Sequence, residues 1–151
     1  MEKKQIYIVI LLFVFILGCK TKDVNTQYRD DFRSISEKEK EVFLKQYHAT
    51  SSDKSVLILT QGYKGEKITA KQEEKPIYSN YPITNLKTKL ADYFAFSNES
   101  NLFIYDQFSK KEIVIPSDKA KKYKFIYLLK KYKGDTADFS ITYSNTLRPL
   151  K

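Results

Sequence analysis

From Ser55 onward the chain is a series of short runs of β-forming residues, separated by residues that favour turns. Val, Ile, Tyr, Phe and Thr fit the pleated surface of a strand, whereas Gly, Pro, Asn and Asp fit turns. Seven or eight strands at this spacing predict a mostly β fold, a small antiparallel β-sandwich or barrel-like domain. The predicted strands span residues 56–60, 67–71, 76–79, 90–97, 102–106, 112–115, 123–130 and 139–143.

Three of these runs carry more specific signals. Residues 56–60 and 123–130 have apolar side chains at both parities, which is typical of a strand covered on both faces. Residues 139–143 alternate apolar and polar, as in a strand with one face exposed to solvent. Gly62-Tyr63-Lys64-Gly65 predicts a turn, so we expect residues 56–60 and 67–71 to form a hairpin. Pro76 indicates that residues 76–79 form an edge strand.

One short helix is predicted before the strands, from Ser36 to Tyr47. Ser36 and Glu39 have the spacing of a capping box, in which each side chain satisfies a free backbone N–H group of the first turn. Val42, Phe43 and Tyr47 form an apolar stripe at helical spacing. The alternative that the sequence leaves open is an α+β domain in which this helix covers one sheet.

The first eighteen residues have the pattern of an export signal. Lys3 and Lys4 precede twelve apolar residues, from Ile6 to Leu17, and Gly18 follows them. A positive start, a short apolar stretch and a small residue before the cleavage point are typical of a secretory signal peptide. A membrane-spanning helix requires about 20 apolar residues, so this run is too short for a span.

The end of this segment, Ile16-Leu17-Gly18-Cys19, resembles the lipobox of bacterial lipoproteins. The resemblance covers residues 1–19 only, and it implies cleavage before Cys19. It also implies a diacylglyceryl thioether on Cys19 and a further acyl chain, such as palmitate, on its new amine. Two or three acyl chains hold a protein firmly, whereas one holds it weakly. The implied location is the cell envelope, at the outer membrane in a cell that has two.

Removal of residues 1–18 leaves 133 of the 151 residues, enough for one domain. Residues 20–35 are polar and without a period, so we interpret residues 19–35 as the lipidated cysteine and a flexible tether. A chain of this length has a root-mean-square reach of about 20–25 Å. Residues 36–151 then form a single β-rich domain, which has no second cysteine for a disulfide.

The formal charge of +9 falls to about +8 once Glu2, Lys3 and Lys4 are removed. An export signal makes nucleic acid an unexpected partner, so anionic lipid, acidic polysaccharide or an acidic envelope protein is expected instead. The densest basic stretch is interleaved with aromatic residues, which suits either polymer binding or core aromatics flanked by surface lysines. We favour the second interpretation. The residues are Lys119, Lys121, Lys122, Tyr123, Lys124, Phe125, Tyr127, Lys130, Lys131, Tyr132 and Lys133.

No catalytic or metal-binding set is evident in the sequence. The one histidine, His48, follows the predicted helix, where a cation is favourable, and the one cysteine, Cys19, is assigned to the anchor. We therefore predict no catalytic residue, no metal site and no cofactor. A glycan hydrolase requires two carboxylates that act together. The candidates in this sequence are Glu73, Glu74, Glu99, Asp106 and Glu112.

These observations favour a non-enzymatic lipoprotein that binds a protein or an envelope polymer through a small β domain, with its ligand-binding residues unassigned. Two alternatives stay open. The first is a periplasmic inhibitor or immunity-type protein with one protein partner. The second is a glycan hydrolase that depends on a carboxylate pair.

The anchor is tested by Cys19→Ala. Because the thioether forms on the cysteine sulfur, the variant should keep its signal peptide and take up no radioactive palmitate, whereas the unaltered chain should be cut and labelled. Gel mobility and palmitate incorporation in the producing cells measure both effects. Processing and membrane retention of the alanine variant would contradict the lipoprotein interpretation.

Overall fold

A computed structural model describes residues 24–150, which contain nine strands and two helices. The predicted mostly β fold is confirmed, with a short helix before most of the strands. The elements are β1 (Val24–Tyr28), α1 (Glu37–Gln46), β2 (Lys54–Leu59), β3 (Ile68–Gln72), β4 (Lys75–Asn80), β5 (Asp92–Ser97), β6 (Leu102–Asp106), β7 (Lys111–Ile115), α2 (Ser117–Ala120), β8 (Phe125–Lys133) and β9 (Thr136–Ser144).

The strands form two sheets that pack face to face as a β-sandwich. A five-stranded sheet has the order β1-β9-β8-β2-β5, and a four-stranded sheet has the order β4-β3-β6-β7. Most neighbours are antiparallel, but β1 runs parallel to β9, and β2 runs parallel to β8. Leu57, Ile104, Ile126 and Ile141 belong to the buried cluster between the sheets.

The five-stranded sheet is covered on both faces near its centre. Ile126 and Leu128 of β8 face the other sheet, whereas Phe125 and Tyr127 face outward into a second cluster with Phe43 of α1. All four β8 residues are buried, which confirms the predicted strand with two covered faces. Apolar residues at both parities arise here because α1 and the C-terminal segment form a third layer.

The capping box of α1 is confirmed. The Oγ atom of Ser36 accepts the N–H of Glu39 at 3.3 Å, and the Glu39 carboxylate accepts the N–H of Ser36 at 3.0 Å. At the other end, Ala49 donates to the carbonyl of Leu44 across His48, whose φ of 51° is left-handed. This geometry is a Schellman-type helix end, and it leaves His48 exposed.

The predicted flexible tether is wrong from Val24 onward. Residues 24–28 form β1, whose register on β9 runs from Val24 with Phe139 to Tyr28 with Tyr143. Beyond β1, the N–H of Ile35 donates to the carbonyl of Leu147 at 3.0 Å. The edge of β9 offers unpaired backbone groups, which a polar segment can satisfy without an apolar pattern. Cys19 and the signal peptide lie outside the described residues.

The predicted hairpin of residues 56–60 and 67–71 is also wrong, because β2 and β3 belong to different sheets. The chain crosses between them at Gly62, which has a φ of 92°. A Cβ atom on Gly62 would lie 1.8 Å from the carbonyl oxygen of Lys130, so only glycine permits this approach. The hairpin that does form is β3–β4, through Glu73 and Glu74 in left-handed conformations. β4 is the edge strand that Pro76 predicts.

Gly62→Ala should destabilise the domain by about 2 kcal/mol or more, because it combines an unfavourable φ with a backbone clash. Gly134→Ala is the matched control: its φ is 60°, but nothing lies within 4 Å of the added Cβ. We expect this control to cost about 1 kcal/mol. Urea unfolding followed by circular dichroism measures the free energy of unfolding of both variants. Equal decreases in this free energy would contradict the close approach of Gly62 to the Lys130 carbonyl.

Candidate functional site

Part of the outer face of the five-stranded sheet is left uncovered, and it forms a pocket of about 440 Å³. Strand β8 contributes Tyr127 and Leu129 to it, β9 contributes Thr142 and β1 contributes Gln27, with Thr60 just beyond β2. We name it the arginine pocket. The remaining lining comes from the segments around the sheet: Arg29, Phe32, Gln61, Thr88, Lys89, Leu90, Arg148 and Pro149.

Arg148 is the central cation of the arginine pocket. Its Cζ atom lies 4.8 Å from the ring centre of Phe32 and 4.1 Å from that of Tyr127. Its Nε atom is buried and has no hydrogen-bond partner. No carboxylate within residues 24–150 forms an ion pair with it. The guanidinium therefore packs against two rings and has no counter-ion within the described part of the chain.

Tyr127 fixes the backbone beside this arginine. Its hydroxyl donates to the carbonyl of Thr146 at 2.8 Å and accepts the N–H of Arg148 at 3.1 Å. Burial raises the pKa of Tyr127, and the hydrogen bond and charge of Arg148 oppose this only in part. The hydroxyl therefore stays protonated at neutral pH and keeps both bonds.

Two further cations line the arginine pocket. The Cζ atom of Arg29 lies 4.9 Å from the ring centre of Phe32. Arg29 also pairs with exposed Asp31, with its Nε atom 2.9 Å from Oδ1. The hydrogen bond with Asp31 raises the pKa of Arg29 and lowers that of the carboxyl. Lys89 is exposed, forms no ion pair within the described chain and has a left-handed φ of 59°. Such a φ is uncommon for a residue other than glycine and recurs at functional sites.

The arginine pocket is suited to binding an anion. Its lining includes three cationic side chains together with Thr and Gln side chains, and no carboxylate, histidine or cysteine. Guanidinium groups match carboxylates well because their N–H donors form a planar fork. Among the described residues, this lining places no base beside a nucleophile of the kind that acyl transfer uses.

A second polar group is buried between the sheets. The Lys130 ammonium of β8 is 3.1 Å from the Asp106 carboxylate of β6, and both side chains are fully buried. Asp106 also accepts the hydroxyl of Ser109 at 2.7 Å. Glu66 lies 3.6 Å from the ammonium, and the Phe108 ring centre lies 4.9 Å from it. This cluster joins the two sheets and is closed to solvent at its centre.

Glu66 closes the exposed side of this cluster. Burial would raise its pKa, but hydrogen bonds from the Tyr132 hydroxyl and from backbone N–H groups, with the charge of Lys130, bring it below the ordinary value. Glu66 is therefore a carboxylate at neutral pH and supplies a second negative charge to the ammonium.

The predicted basic stretch from Lys119 to Lys133 does not form one surface. Phe125 and Tyr127 are core residues, as we expected, and Lys130 is buried with Asp106. Lys124 donates to the carbonyls of Ser51 and Lys54 at 2.7 Å. The stretch from Lys119 to Lys124 precedes β8, whereas Lys131 and Lys133 lie at its far end.

The predicted carboxylates are mostly dispersed. Asp106 is taken up by Lys130, and Glu99 pairs with Lys121 at 3.4 Å. Glu74 and Glu112 do line one groove, on the outer face of the four-stranded sheet, where Lys71 bonds Glu74 at 2.9 Å. Both carboxylates are exposed, whereas a general acid is usually held protonated by burial. Nothing in this groove favours hydrolysis.

Metal-binding clusters and membrane-spanning helices are both absent from the described residues. Within residues 24–150, no group of three or more His, Cys, Asp or Glu side chains is placed to hold a metal ion. Neither helix in this range has the length and apolar character that crossing a membrane requires.

Removing one partner of the buried ion pair should be costly. Lys130→Met leaves the buried Asp106 carboxylate without its cation, and it should lower the free energy of unfolding by about 3–5 kcal/mol. Asp106→Asn leaves the ammonium with Glu66 alone, at 3.6 Å, and should cost somewhat less. The double variant should lose less than the sum of the two. Exposed Lys121→Met and Glu99→Gln are the matched pair, with an expected coupling below about 1 kcal/mol. Urea unfolding of all the variants gives the coupling energy of each pair. A coupling energy for Asp106 and Lys130 as small as that for Glu99 and Lys121 would contradict a buried ion pair.

A comparison of the chain with protein-family models, and with curated proteins, found no match. The function of this chain is therefore inferred from its own residues.

Proposed function

We propose that this chain is a cell-envelope lipoprotein that is anchored through lipid on Cys19 and binds a carboxylate-bearing partner in the arginine pocket. The partner is an acidic envelope protein or an acidic polymer, and binding involves no catalysis. The anchor is supported by Ile16-Leu17-Gly18-Cys19 at the end of an export signal. In a cell with two membranes, the proposed location is the outer one.

The observation that carries the binding proposal is the Arg148 guanidinium, which forms no ion pair with any residue from 24 to 150 and has a buried Nε atom without an acceptor there. Its contacts with Phe32 and Tyr127 restrict its movement before any ligand arrives, so little side-chain entropy remains to be lost on binding. A guanidinium is also weakly hydrated, which lowers the cost of removing its water. A buried Nε atom without an acceptor leaves one donor for which the described chain provides no bond.

The surroundings favour an acidic group on a larger partner. A volume of about 440 Å³ accommodates a carboxylate side chain or one sugar ring, at the low end of small-ligand sites. Lys89 adds positive charge at the rim, whereas the charge of Arg29 is balanced by Asp31. The net charge of about +8 on the mature chain attracts acidic partners over a longer range.

The same pocket serves the inhibitor or immunity-type alternative, in which the acidic group belongs to one protein. That alternative predicts one tight protein partner and no binding of acidic polymer. The two versions differ in the partner and share the role of Arg148.

The test is titration calorimetry with two acidic probes, a galacturonate hexamer and a Glu-rich peptide, beside a galactose hexamer and a Gln-rich peptide as neutral counterparts. At least one acidic probe should bind, and neither neutral probe should. Arg148→Met should weaken binding by about 10–100-fold, because a charge-assisted hydrogen bond contributes about 1.5–3 kcal/mol. Arg148→Lys should restore little, since lysine lacks the planar fork.

Lys121→Met is the matched control, because it removes one positive charge near the start of β8 and away from the arginine pocket. It should change affinity less than about twofold. Equal binding by the unaltered chain and by Arg148→Met would contradict the proposed site. If no probe binds but a single envelope protein requires Arg148, the inhibitor alternative is correct.

A further inference from the structure

One end of the sandwich is defined by the residue at which β1 begins. Val24 pairs with Phe139, and Phe139 pairs with Lys130. The last residue of β2, Leu59, pairs with Asp92, the first residue of β5, at this same end. We name it the β1-start end. In the second sheet it is marked by Asp106, because Asp106 contacts Lys130.

Residues 81–91, which we name the apolar loop, join β4 to β5 at the β1-start end. The end of β4 lies there because Asn80 pairs with Ile68, which pairs with Asp106. Three large apolar side chains of this loop point into solvent: Tyr81 is 62% exposed, Ile83 is 66% exposed and Leu86 is 81% exposed. These are the three most exposed large hydrophobic side chains of residues 24–150.

The apolar loop is held in place by its backbone. Gly65 donates to the carbonyl of Pro82 at 2.9 Å, and Thr84 donates to the carbonyl of Tyr63 at 2.8 Å. Asn85 donates to the carbonyl of Leu90 at 2.8 Å. Because these bonds fix the backbone, Ile83 and Leu86 stay exposed instead of folding back onto the core.

The charges within the apolar loop are positive. The apolar loop contains Lys87 and Lys89 and no acidic residue. Exposed Lys64 lies beside it, because its backbone forms an isolated antiparallel β-bridge with Ile83. Apolar side chains beside lysines are the composition of protein segments that lie in the interfacial region of a membrane. The apolar groups enter the headgroup region, while the lysines face anionic phosphates.

The length of chain before β1 supplies the second observation. Only residues 20–23 separate Cys19 from Val24. Five Cα–Cα steps span at most about 18 Å, even when fully extended. Since β1 begins at this end, a lipid on Cys19 keeps the β1-start end close to the bilayer.

We propose that the apolar loop inserts Tyr81, Ile83 and Leu86 into the surface of the membrane that holds the Cys19 lipid. This inference rests on the proposed anchoring and goes beyond it, because it fixes which end of the domain faces the membrane. The arginine pocket then opens sideways, since it lies on a sheet face and shares only Thr88, Lys89 and Leu90 with the loop.

The experiment uses the lipidated mature protein in vesicles of phosphatidylethanolamine and phosphatidylglycerol. Cys19 is the only cysteine and is blocked by its thioether, so a new cysteine is the single labelling site. An environment-sensitive fluorophore is attached to Leu86→Cys, to Ser52→Cys before β2 at the opposite end, and to Val42→Cys on α1. Lipids with a nitroxide near the headgroup then quench any fluorophore that lies in the membrane surface.

We expect at least twofold quenching at Leu86→Cys and none at Ser52→Cys or Val42→Cys. Replacing phosphatidylglycerol with a neutral lipid should reduce the quenching at Leu86→Cys. Protein that carries palmitate and floats with the vesicles, but shows no quenching at Leu86→Cys, would overturn the orientation and leave the anchor intact. Stronger quenching at Val42→Cys would do the same. Protein without palmitate that fails to float would overturn the anchor itself, and this inference with it.

Discussion

A fully buried lysine, Lys130, joins the two sheets of this domain. Its N–H donates to the carbonyl of Gln61 at 3.0 Å, and its own carbonyl oxygen lies where a side chain on Gly62 would be. Its ammonium reaches across the sandwich to Asp106 at 3.1 Å. One residue therefore fixes the path by which the chain crosses from β2 to β3 and the position of β6 opposite β8.

A buried ion pair is a poor source of stability by itself, because removing two charges from water costs about as much as their attraction returns. Its effect here is to select one packing of the two sheets over others. A shifted packing of the sheets would separate the ammonium from Asp106 and leave both charges buried without a partner, which the domain could not tolerate. The aliphatic core between the sheets would accept several similar arrangements, and the ion pair excludes those in which its members do not meet.

The strands and the helix were predictable because their signals are local. The alternation in β9 follows from one covered face, the two-parity run in β8 from two covered faces, and α1 from the Ser36–Glu39 capping box. β1 was not predictable, because a polar strand on a sheet edge needs only backbone hydrogen bonds and has the composition of a tether. The burial of Lys130 was equally hidden, since a lysine between lysine and leucine reads as a surface residue.

The arginine pocket had no local signal either. Phe32, Tyr127 and Arg148 come from three distant parts of the chain, and only the return of the C-terminal segment to the outer face of the sheet brings them together. The excess of positive charge predicted an anionic partner but favoured no position. The densest run of lysines proved to be divided among the two ends of the sandwich and its interior. Arg148, whose buried Nε atom has no hydrogen-bond partner among the described residues, lies outside that run.

β1 connects the fold to the proposed function. If residues 24–35 were free, the domain would rotate at the end of a link of sixteen residues, and either end could face the membrane. Residues 24–28 pair with β9 instead, which shortens that link to residues 20–23 and determines where it leaves the sandwich. Under the proposed anchoring, a short link on the same end as the apolar loop would restrict the domain to few orientations. The arginine pocket would then be presented at a nearly constant height above the headgroups, which would favour partners that are themselves held at the membrane surface. Two membrane-held molecules meet at a higher effective concentration than two free ones, so even modest affinity for one carboxylate would be sufficient.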